Sequence, residues 1–291
     1  MIAAIFPGQG SQTPGMGKDV FDASGAAREV FTKVSETLGV DVAKLCIESE
    51  EETLRATNNA QIALFTVGVA TYRASEINAD VFAGHSIGEY AALVCAGALS
   101  LEDGARLVRR RGELMASAGD LTLGTMAAGL GLEIPLISET LEKVDGIVVV
   151  ANDNCPGQTV ISGAVEAVTA AIPLLQEAGA KRVLPPNVSG AFHSPLMTEP
   201  SRQMAQALAD AVFQTGKPVY ANVTTKPVLD PSDWRGILEQ QLRDQVRWTD
   251  SVRNMIADGV TEFIEFGPGE VLCGMLKRID KSVPARRFSV N

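Results

Sequence analysis

Residues 81–94 read Val81-Phe82-Ala83-Gly84-His85-Ser86-Ile87-Gly88-Glu89-Tyr90-Ala91-Ala92-Leu93-Val94. An apolar run typical of a strand passes through a turn between two glycines into a helical pattern. So tight a turn holds Ser86 in a strained backbone conformation, with Oγ at the N-terminus of the helix. The helix dipole and the free N–H groups there stabilise negative charge on an attached acyl group. The stretch predicts a serine nucleophile between a strand and a helix.

Strand and helix patterns alternate along the chain in the manner of an α/β protein with a mainly parallel sheet. The predicted strands of this sheet are Ile2–Phe6, Val81–Ala83, Val219–Ala221, Glu262–Phe266 and Arg287–Val290. Helical patterns lie between them, at residues 26–38, 60–76, 89–96, 101–116, 196–212, 234–242, 249–257 and 271–280.

The segment 122–189 departs from this alternation. Its patterns give strand 125–130, helix 134–144, strand 147–151, strand 158–162, helix 165–178 and strand 181–184. This βαββαβ order is typical of a ferredoxin-like unit. We therefore expect a large α/β-hydrolase-like core from residues 1–121 and 190–291, with residues 122–189 as an inserted ferredoxin-like subdomain. The cleft between the two is the expected substrate site.

A serine nucleophile usually needs a base, and the chain has two histidines, His85 and His193. His85 precedes Ser86 directly, so its side chain should point away from Oγ. His193 lies in a loop of small residues, 188–195, of the kind that carries catalytic groups. A capping or surface role would be the ordinary interpretation of one histidine, but the scarcity of alternatives makes His193 the candidate base.

Composition indicates an ordinary globular protein. The 291 residues are 46% hydrophobic and can bury a sizeable core. The formal charge of −10 argues against a nucleic-acid footprint over the whole surface. Basic clusters at Arg109-Arg110-Arg111 and between Lys277 and Arg287 are either docking sites for an acidic or phosphate-bearing partner or, for most of these residues, solvated surface.

The cysteines, Cys46, Cys95, Cys155 and Cys273, form no Cys-x-x-Cys pair and indicate neither a zinc site nor a redox motif. They are expected to be reduced thiols of a cytoplasmic protein. The apolar N-terminus, Met1–Phe6, is too short for a signal peptide or a membrane span. We expect no membrane association and a monomer.

A second glycine-rich element, Pro7-Gly8-Gln9-Gly10-Ser11-Gln12, follows the first predicted strand. It lacks the endings of a P-loop and of a dinucleotide fingerprint. Such a loop can bring backbone N–H groups close to an acyl oxygen. The N–H of Ile87 and that of Gln9 are therefore the candidate pair of oxyanion-hole donors, although the loop is also compatible with a simple turn.

Five motifs together resemble one family, the malonyl-CoA:acyl carrier protein transacylases. They are Gly8-Gln9-Gly10-Ser11-Gln12, Gly84-His85-Ser86-Ile87-Gly88-Glu89-Tyr90, Arg111-Gly112, Gly190-Ala191-Phe192-His193-Ser194 and Glu265-Phe266-Gly267-Pro268-Gly269. They occur in the family's order, and the resemblance runs from residue 5 to about residue 280.

The resemblance implies a role for each matching residue. Ser86 resembles the acylated nucleophile and His193 its general base, while Gln9 and Ile87 resemble the main-chain oxyanion donors. Arg111 resembles the partner of the free malonyl carboxylate, which a guanidinium can bind with two parallel hydrogen bonds. Gln241 resembles the residue whose carbonyl holds the histidine ring. Its register against Gln240 stays open, because the chain reads Gln245-Val246-Arg247-Trp248 where the family often has Pro-Val-x-Trp.

Further residues match the family's substrate pocket. Met115 lies four residues after Arg111 and either lines the pocket or is a core methionine. Asn152 and Asn154 match a loop that faces the cleft, and both are equally compatible with shaping a turn. Phe192, with Ile87, resembles the pattern that selects malonyl over the branched methylmalonyl group.

The implied reaction is transfer of a malonyl group from malonyl-CoA, through an ester on Ser86, to the phosphopantetheine thiol of an acyl carrier protein in fatty acid biosynthesis. Thioester, ester and thioester are close in energy, so no metal or cofactor is expected. Three alternatives stay open: a stand-alone acyltransferase that serves a polyketide synthase, a serine acyl hydrolase, and a non-catalytic module that binds the carrier.

Overall fold

The computed structural model describes residues 1–121, 124–184 and 190–290. Its strands form two sheets, which give the chain a mixed α/β architecture. In chain order they are β1 (Ile2–Phe6), β2 (Val81–Gly84), β3 (Gly124–Leu130), β4 (Val148–Cys155), β5 (Gln158–Ala164), β6 (Arg182–Leu184), β7 (Val219–Tyr220), β8 (Pro227–Val228), β9 (Val246–Arg247), β10 (Glu262–Glu265) and β11 (Ala285–Arg287).

The first sheet has the order β11-β10-β1-β2-β7-β8 within the described residues. Its neighbours pair in parallel except β7 and β8, which are antiparallel. Strand β2 is buried along its whole length, which explains why it reads as a continuous apolar run. Phe6, the last residue of β1, pairs with Gly84, the last of β2. The turns that leave these two strands therefore start side by side at one edge of the sheet.

The helices pack mainly around the first sheet. The long helices α2, α5 and α7 pack against one another, and α5 is buried on all sides from Ala60 to Thr71. The α-helices are α1 (Lys18–Ala23), α2 (Gly25–Leu38), α3 (Val42–Ile47), α4 (Glu51–Arg55), α5 (Thr57–Ser75), α6 (Gly88–Cys95), α7 (Leu101–Leu121), α8 (Ile134–Leu141), α9 (Val165–Glu177), α10 (Thr198–Asp210), α11 (Trp234–Gln241), α12 (Trp248–Ala257) and α13 (Val271–Ile279).

The second sheet has the order β6-β3-β5-β4-β9. The pairs among β6, β3, β5 and β4 are antiparallel, and β9 joins β4 in parallel. Helices α8 and α9 close an apolar cluster over this sheet, with Ile137, Ile161 and Leu175 at its centre. Between residues 124 and 184 the element order is β3-α8-β4-β5-α9-β6, as the sequence patterns predicted.

The predicted boundaries at 121/122 and 189/190 adjoin residues 122–123 and 185–189, which lie outside the described residues. Strand β9 comes from the part of the chain assigned to the core, yet it pairs with the second sheet. The connection between the two sheets therefore includes a hydrogen-bonded ladder, in which Asn152 is opposite Val246 and Asp153 is opposite Arg247.

The last strand was predicted at Arg287–Val290 but spans Ala285–Arg287. Just beyond the strand, the N–H of Phe288 still donates to the carbonyl of Glu265 on β10 at 2.9 Å. The apolar side chain that suggested the later position packs on the core, since Phe288 stacks on Phe266 with ring centroids 5.7 Å apart. The short helices α1, α3 and α4 and the two-residue strands β8 and β9 were not predicted, because they are too short to show a period. In the described part of the chain, no helix combines the length and the apolar character that crossing a bilayer requires.

Candidate active site

The turn between β2 and α6 places Ser86 at the edge where β1 and β2 end. Ser86 has φ of 51°, in the left-handed region that costs a non-glycine residue free energy. The flanking glycines are required by close packing. A Cβ on Gly84 would lie 2.0 Å from the carbonyl carbon of Gly88, and one on Gly88 would lie 2.2 Å from the carbonyl oxygen of Phe6. The turn thus fits only with these two glycines.

Ser86 and His193 are brought together from positions 107 residues apart in the chain. The Oγ of Ser86 lies 2.8 Å from Nε2 of His193, and both side chains are buried. On the other side of the ring, Nδ1 of His193 lies 2.7 Å from the main-chain carbonyl oxygen of Gln241. The carbonyl that Nδ1 of His193 contacts is that of Gln241, not that of Gln240.

The same contact fixes the tautomer of the imidazole. A carbonyl oxygen can only accept, so Nδ1 carries the hydrogen and Nε2 of neutral His193 is free to accept the hydroxyl hydrogen of Ser86. Burial, reinforced by the positive charge of Arg111, lowers the pKa of His193 to about 3. The ring is therefore neutral at physiological pH and is oriented as a general base.

Arg111, in the middle of α7, lies directly behind the nucleophile and is fully buried. Its NH2 group donates to Ser86 Oγ at 2.9 Å and to Gln241 Oε1 at 3.0 Å, and its NH1 group donates to Gln61 Oε1 at 2.8 Å. The ring of Tyr90 lies 5.8 Å from the guanidinium carbon. Burial lowers the pKa of Arg111, which as a guanidinium stays charged.

Two backbone donors near Ser86 have no acceptor among the described residues. These are the N–H groups of Gln9, in the loop after β1, and of Ile87, the residue after the nucleophile. The loop approaches the turn closely, since a Cβ on Gly8 would lie 2.7 Å from Nδ1 of His85. The side chain of Gln9 is turned to Thr57, to whose hydroxyl it donates at 3.3 Å. Both N–H groups are available to an oxyanion.

A cleft of about 260 Å³ opens over Ser86 and His193 and is lined from both sheets. Of the residues expected to bind the substrate, Met115, Asn152, Asn154 and Phe192 line it. Arg111 is not among the described residues that line the cleft, and it reaches the site through its contact with Ser86 Oγ. Met115 is 3% exposed and its sulfur accepts from Gln61 Nε2 at 2.9 Å, so it is both a core residue and a wall of the cleft.

His85 links the two sheets instead of reaching the nucleophile. Its Nε2 lies 2.8 Å from Asn154 Oδ1 on β4. Its ring packs edge to face with that of Trp248, with the ring centroids 5.9 Å apart. The expectation that its side chain points away from Oγ agrees with this position.

Asn222 was not singled out from the sequence, although it contacts the turn twice. Its Oδ1 accepts from the N–H of Ser86 at 2.7 Å, and its Nδ2 donates to the carbonyl of Gly84 at 2.6 Å. The buried carboxyl group of Glu89 accepts from the N–H of Asn222 at 2.9 Å through Oε2. Asn222 follows β7, the parallel neighbour of β2, and a polar residue at the carboxyl end of such a strand is the signal that could have identified it.

Fold and site together define an α/β protein with a serine–histidine pair at a strand-to-helix turn, the arrangement used by enzymes that handle acyl groups. Residues 4–287 match the family model described as acyl transferase domain. The chain therefore belongs to the acyl transferase domain family.

Individual relatives and solved structures show which members of this family the chain resembles. The malonyl CoA-acyl carrier protein transacylase of Bacillus subtilis is 43% identical over 288 residues, 96% of this chain and 90% of that protein. A crystal structure of an acyl carrier protein S-malonyltransferase from Vibrio cholerae is 39% identical, with a TM-score of 0.96 over 100% of this chain and 97% of that one. A structure described as a type II PKS acyl-carrier protein in complex with its malonyl-transacylase is 37% identical, with a TM-score of 0.95 over 100% of this chain and 96% of that one.

Proposed function

We propose that the protein is an [acyl-carrier-protein] S-malonyltransferase, which moves a malonyl group from malonyl-CoA to the phosphopantetheine thiol of acyl carrier protein. The observation that carries this proposal is the environment of Arg111. Its guanidinium is fully buried 2.9 Å from Ser86 Oγ, and its partners among the described residues are a hydroxyl and two amide oxygens. The buried carboxyl group of Glu89 interacts with Arg111 electrostatically, but no carboxylate in the described residues hydrogen-bonds to the guanidinium. A buried cation beside the nucleophile with room for such a partner fits an acyl group that ends in a carboxylate.

Acylation begins when Ser86 Oγ attacks the thioester carbon of malonyl-CoA. Nε2 of His193 takes the hydroxyl proton, and the oxyanion of the tetrahedral intermediate accepts from the N–H groups of Gln9 and Ile87. The C–S bond then breaks, the proton passes from His193 to the departing CoA sulfur, and the malonyl ester of Ser86 remains.

The second half of the reaction reverses the first with another thiol. His193 accepts the proton of the phosphopantetheine thiol, the sulfur attacks the ester carbon, and Ser86 Oγ leaves with the proton that His193 returns. A thioester is consumed and a thioester is formed, so the proposed chemistry involves no metal, redox step or cofactor of the protein's own. Throughout, Arg111 holds the malonyl carboxylate, and the bulk of Phe192 and Ile87 disfavours a methyl branch beside it.

The relatives' names support this choice of acyl group, because the Bacillus subtilis protein is named for malonyl transfer. Fatty acid biosynthesis is the proposed pathway. A polyketide pathway remains the second candidate, because the complex with a type II PKS carrier involves a protein of nearly the same fold. A comparison of transfer rates to carriers from the two pathways separates the candidates.

The finer organisation belongs to the same proposal. We propose an α/β-hydrolase-like core from residues 1–121 and 190–291 with an inserted ferredoxin-like subdomain at 122–189. The strand order β6-β3-β5-β4 supports the second assignment. We further propose a cytoplasmic monomer that binds neither nucleic acid nor membrane, in keeping with the net charge of −10.

The decisive test is the intact mass of the protein after brief exposure to malonyl-CoA. We expect the wild type to gain one malonyl group, the Ser86→Ala variant to gain none, and added phosphopantetheinylated carrier to remove the adduct and become malonylated itself. An adduct lost to water at the same rate with and without carrier would indicate a hydrolase. No adduct at all would contradict the proposed enzyme and favour a binding module.

A further inference from the structure

The two peptide units that meet at Ser86 are each held by a side-chain amide from a distant part of the chain. Asn222 accepts from the N–H of Ser86 at 2.7 Å, as described above. On the other side, Nε2 of Gln241 donates to the carbonyl oxygen of Ser86 at 2.9 Å. Gln241 ends α11 and is completely buried. The strained conformation of Ser86 is therefore fixed from both directions.

The contact from Gln241 has a geometric consequence for the next residue. The carbonyl of Ser86 and the N–H of Ile87 belong to one planar trans peptide and point in opposite directions. The carbonyl accepts from Gln241 Nε2 at 2.9 Å and also from the N–H of Glu89 at 3.1 Å, in the first turn of α6. The hydrogen bonds that fix the direction of the carbonyl therefore fix the direction of the N–H, and Gln241 supplies the one that comes from outside the turn. This hydrogen bond also polarises the peptide, which strengthens the N–H as a donor. This N–H has no acceptor among the described residues.

Gln241 reaches two other parts of the site with different atoms. Its main-chain carbonyl accepts from Nδ1 of His193, and its Oε1 accepts from Arg111 at 3.0 Å. The carbonyl contact does not depend on the side chain, so substitution at this position leaves the partner of His193 in place. The role of the side-chain amide can therefore be tested separately.

We propose that the side-chain amide of Gln241 is a positioning residue for the oxyanion hole, which aims the N–H of Ile87 by holding the carbonyl of Ser86. This inference rests on the proposed function, since it takes the N–H of Ile87 to be an oxyanion donor. It separates the contribution of the amide from that of the main-chain carbonyl, which orients the base.

The test compares Gln241→Met, which removes the donor with little change in volume, with Gln241→Glu, which keeps the shape and an oxygen for Arg111. The matched control is Gln240→Met at the exposed neighbouring position. Acylation of Ser86 is followed by rapid quench and intact mass, with malonyl-CoA and with acetyl-CoA over a range of concentrations. Acetyl-CoA lacks the free carboxylate that Arg111 would bind. Its acylation rate therefore measures the effect on the oxyanion hole separately from any effect on carboxylate binding.

We expect both Gln241 variants to acylate about 10- to 100-fold more slowly at saturating acetyl-CoA, somewhat less than the loss on removing an oxyanion donor outright. The acetyl-CoA concentration that gives half of the maximal acylation rate should change little. Gln241→Met should slow malonyl and acetyl transfer alike, and Gln240→Met should match the wild type. In protein labelled with ¹⁵N-isoleucine, the amide signal of Ile87 should move in both Gln241 variants and not in the control.

Three outcomes would overturn the inference. One is acetyl transfer at the wild-type rate in both Gln241 variants. Another is an acylation rate that falls with malonyl-CoA and not with acetyl-CoA. That result would mean that the substitutions act by disturbing Arg111. The third is a lower melting temperature with an unchanged acylation rate and Ile87 signal, which would make the side chain a structural residue only. Absence of a malonyl adduct on the wild type would instead contradict the proposed function, so the two failures are distinguishable.

Discussion

At the scale of single residues, Arg111 is fully buried, and its hydrogen-bond partners within the described parts of the chain are all neutral. A guanidinium in this position is costly unless an anion completes its environment during the reaction. In the proposed mechanism, the acyl group supplies that anion when it is malonyl. Acetyl supplies none, so the two acyl groups differ at Arg111 and nowhere else in the proposed mechanism.

Arg111→Ala should therefore lose malonyl transfer while acetyl transfer is relatively spared. A malonyl carboxylate left unpaired in a buried site costs about 2 to 5 kcal/mol, so malonyl acylation should slow by at least about 30-fold. The measurement is kcat/KM with each acyl-CoA. Arg110→Ala is the matched control, because Arg110 is the preceding residue of α7 and is partly exposed. Equal losses for the two acyl groups in Arg111→Ala would remove Arg111 from the proposed role.

Individual residues were predictable where chemistry restricts the choice. With two histidines in the chain, the partner of Ser86 followed by elimination, and the structure places His193 Nε2 2.8 Å from Oγ. Gln61 and Asn222 were not predicted, because buried amides have no characteristic spacing and acquire their importance only from tertiary contacts. Gln241 was reached through the family resemblance, and its register needed the structure.

At the scale of elements, the turn from β2 to α6 works because three chain segments meet within van der Waals distance. The carbonyl oxygen of Phe6, at the end of β1, lies so close to Gly88 that there is no room for a Cβ on that residue. The close approach brings the loop after β1 beside the nucleophile. The backbone of one strand end thus sets the separation between the two candidate oxyanion donors.

Gly88→Ala should disrupt this arrangement. Its Cβ would lie 2.2 Å from a backbone oxygen that cannot move without displacing β1. We expect a loss of at least about 2 kcal/mol of unfolding free energy, with acylation of Ser86 nearly abolished. Urea denaturation and the malonyl adduct measure the two effects.

The control for this substitution is Gly236→Ala in α11, where an added Cβ has no atom within 4 Å. Because alanine favours a helix more than glycine does, this variant should be neutral or more stable by up to about 1 kcal/mol. Comparable losses in the two variants would show that close approach at Gly88 is not the cause.

Strands β1, β2, β7 and β10 of the first sheet were predictable because they are largely buried and read as short apolar runs. The last strand was predicted too late for the same physical reason, since apolar side chains such as Phe288 indicate burial and do not show where a strand begins or ends. Strand β9 has two residues and pairs with β4 far away in sequence. No local pattern in Val246–Arg247 could have indicated that contact.

At the scale of the whole molecule, Glu89 ties stability to pH. Its burial raises the pKa of the carboxyl group to about 7, so the folded protein keeps a proton that the unfolded chain loses above its ordinary pKa of 4.5. Stability from this group is therefore fully present at low pH and declines as the pH rises from about 4.5 to 7. The lowered pKa of His193 has the opposite effect. The unfolded chain protonates this histidine as the pH falls below 6.5 and the folded protein does not, so stability declines with falling pH.

Glu89→Gln removes the titration and keeps an oxygen for the N–H of Asn222. Between pH 5 and pH 8, the unfolding free energy of this variant relative to the wild type should rise, by up to about 3 kcal/mol. Urea denaturation at the two pH values measures it, with Glu142→Gln as the exposed control. A difference that does not change with pH, or that changes in favour of the wild type, would contradict a raised pKa for Glu89.

The carbonyl of Gln241 behind His193 bears on which substrates the molecule can turn over. A carboxylate in that place would stabilise the imidazolium formed during attack, whereas a neutral carbonyl with Arg111 nearby leaves it an acidic, short-lived species. Such a species suits a leaving group that needs little proton transfer before its bond breaks, and thiols, with a pKa of about 8.5, need far less than amines. The site is therefore matched to exchange between thiols, and we expect it to leave amide bonds intact.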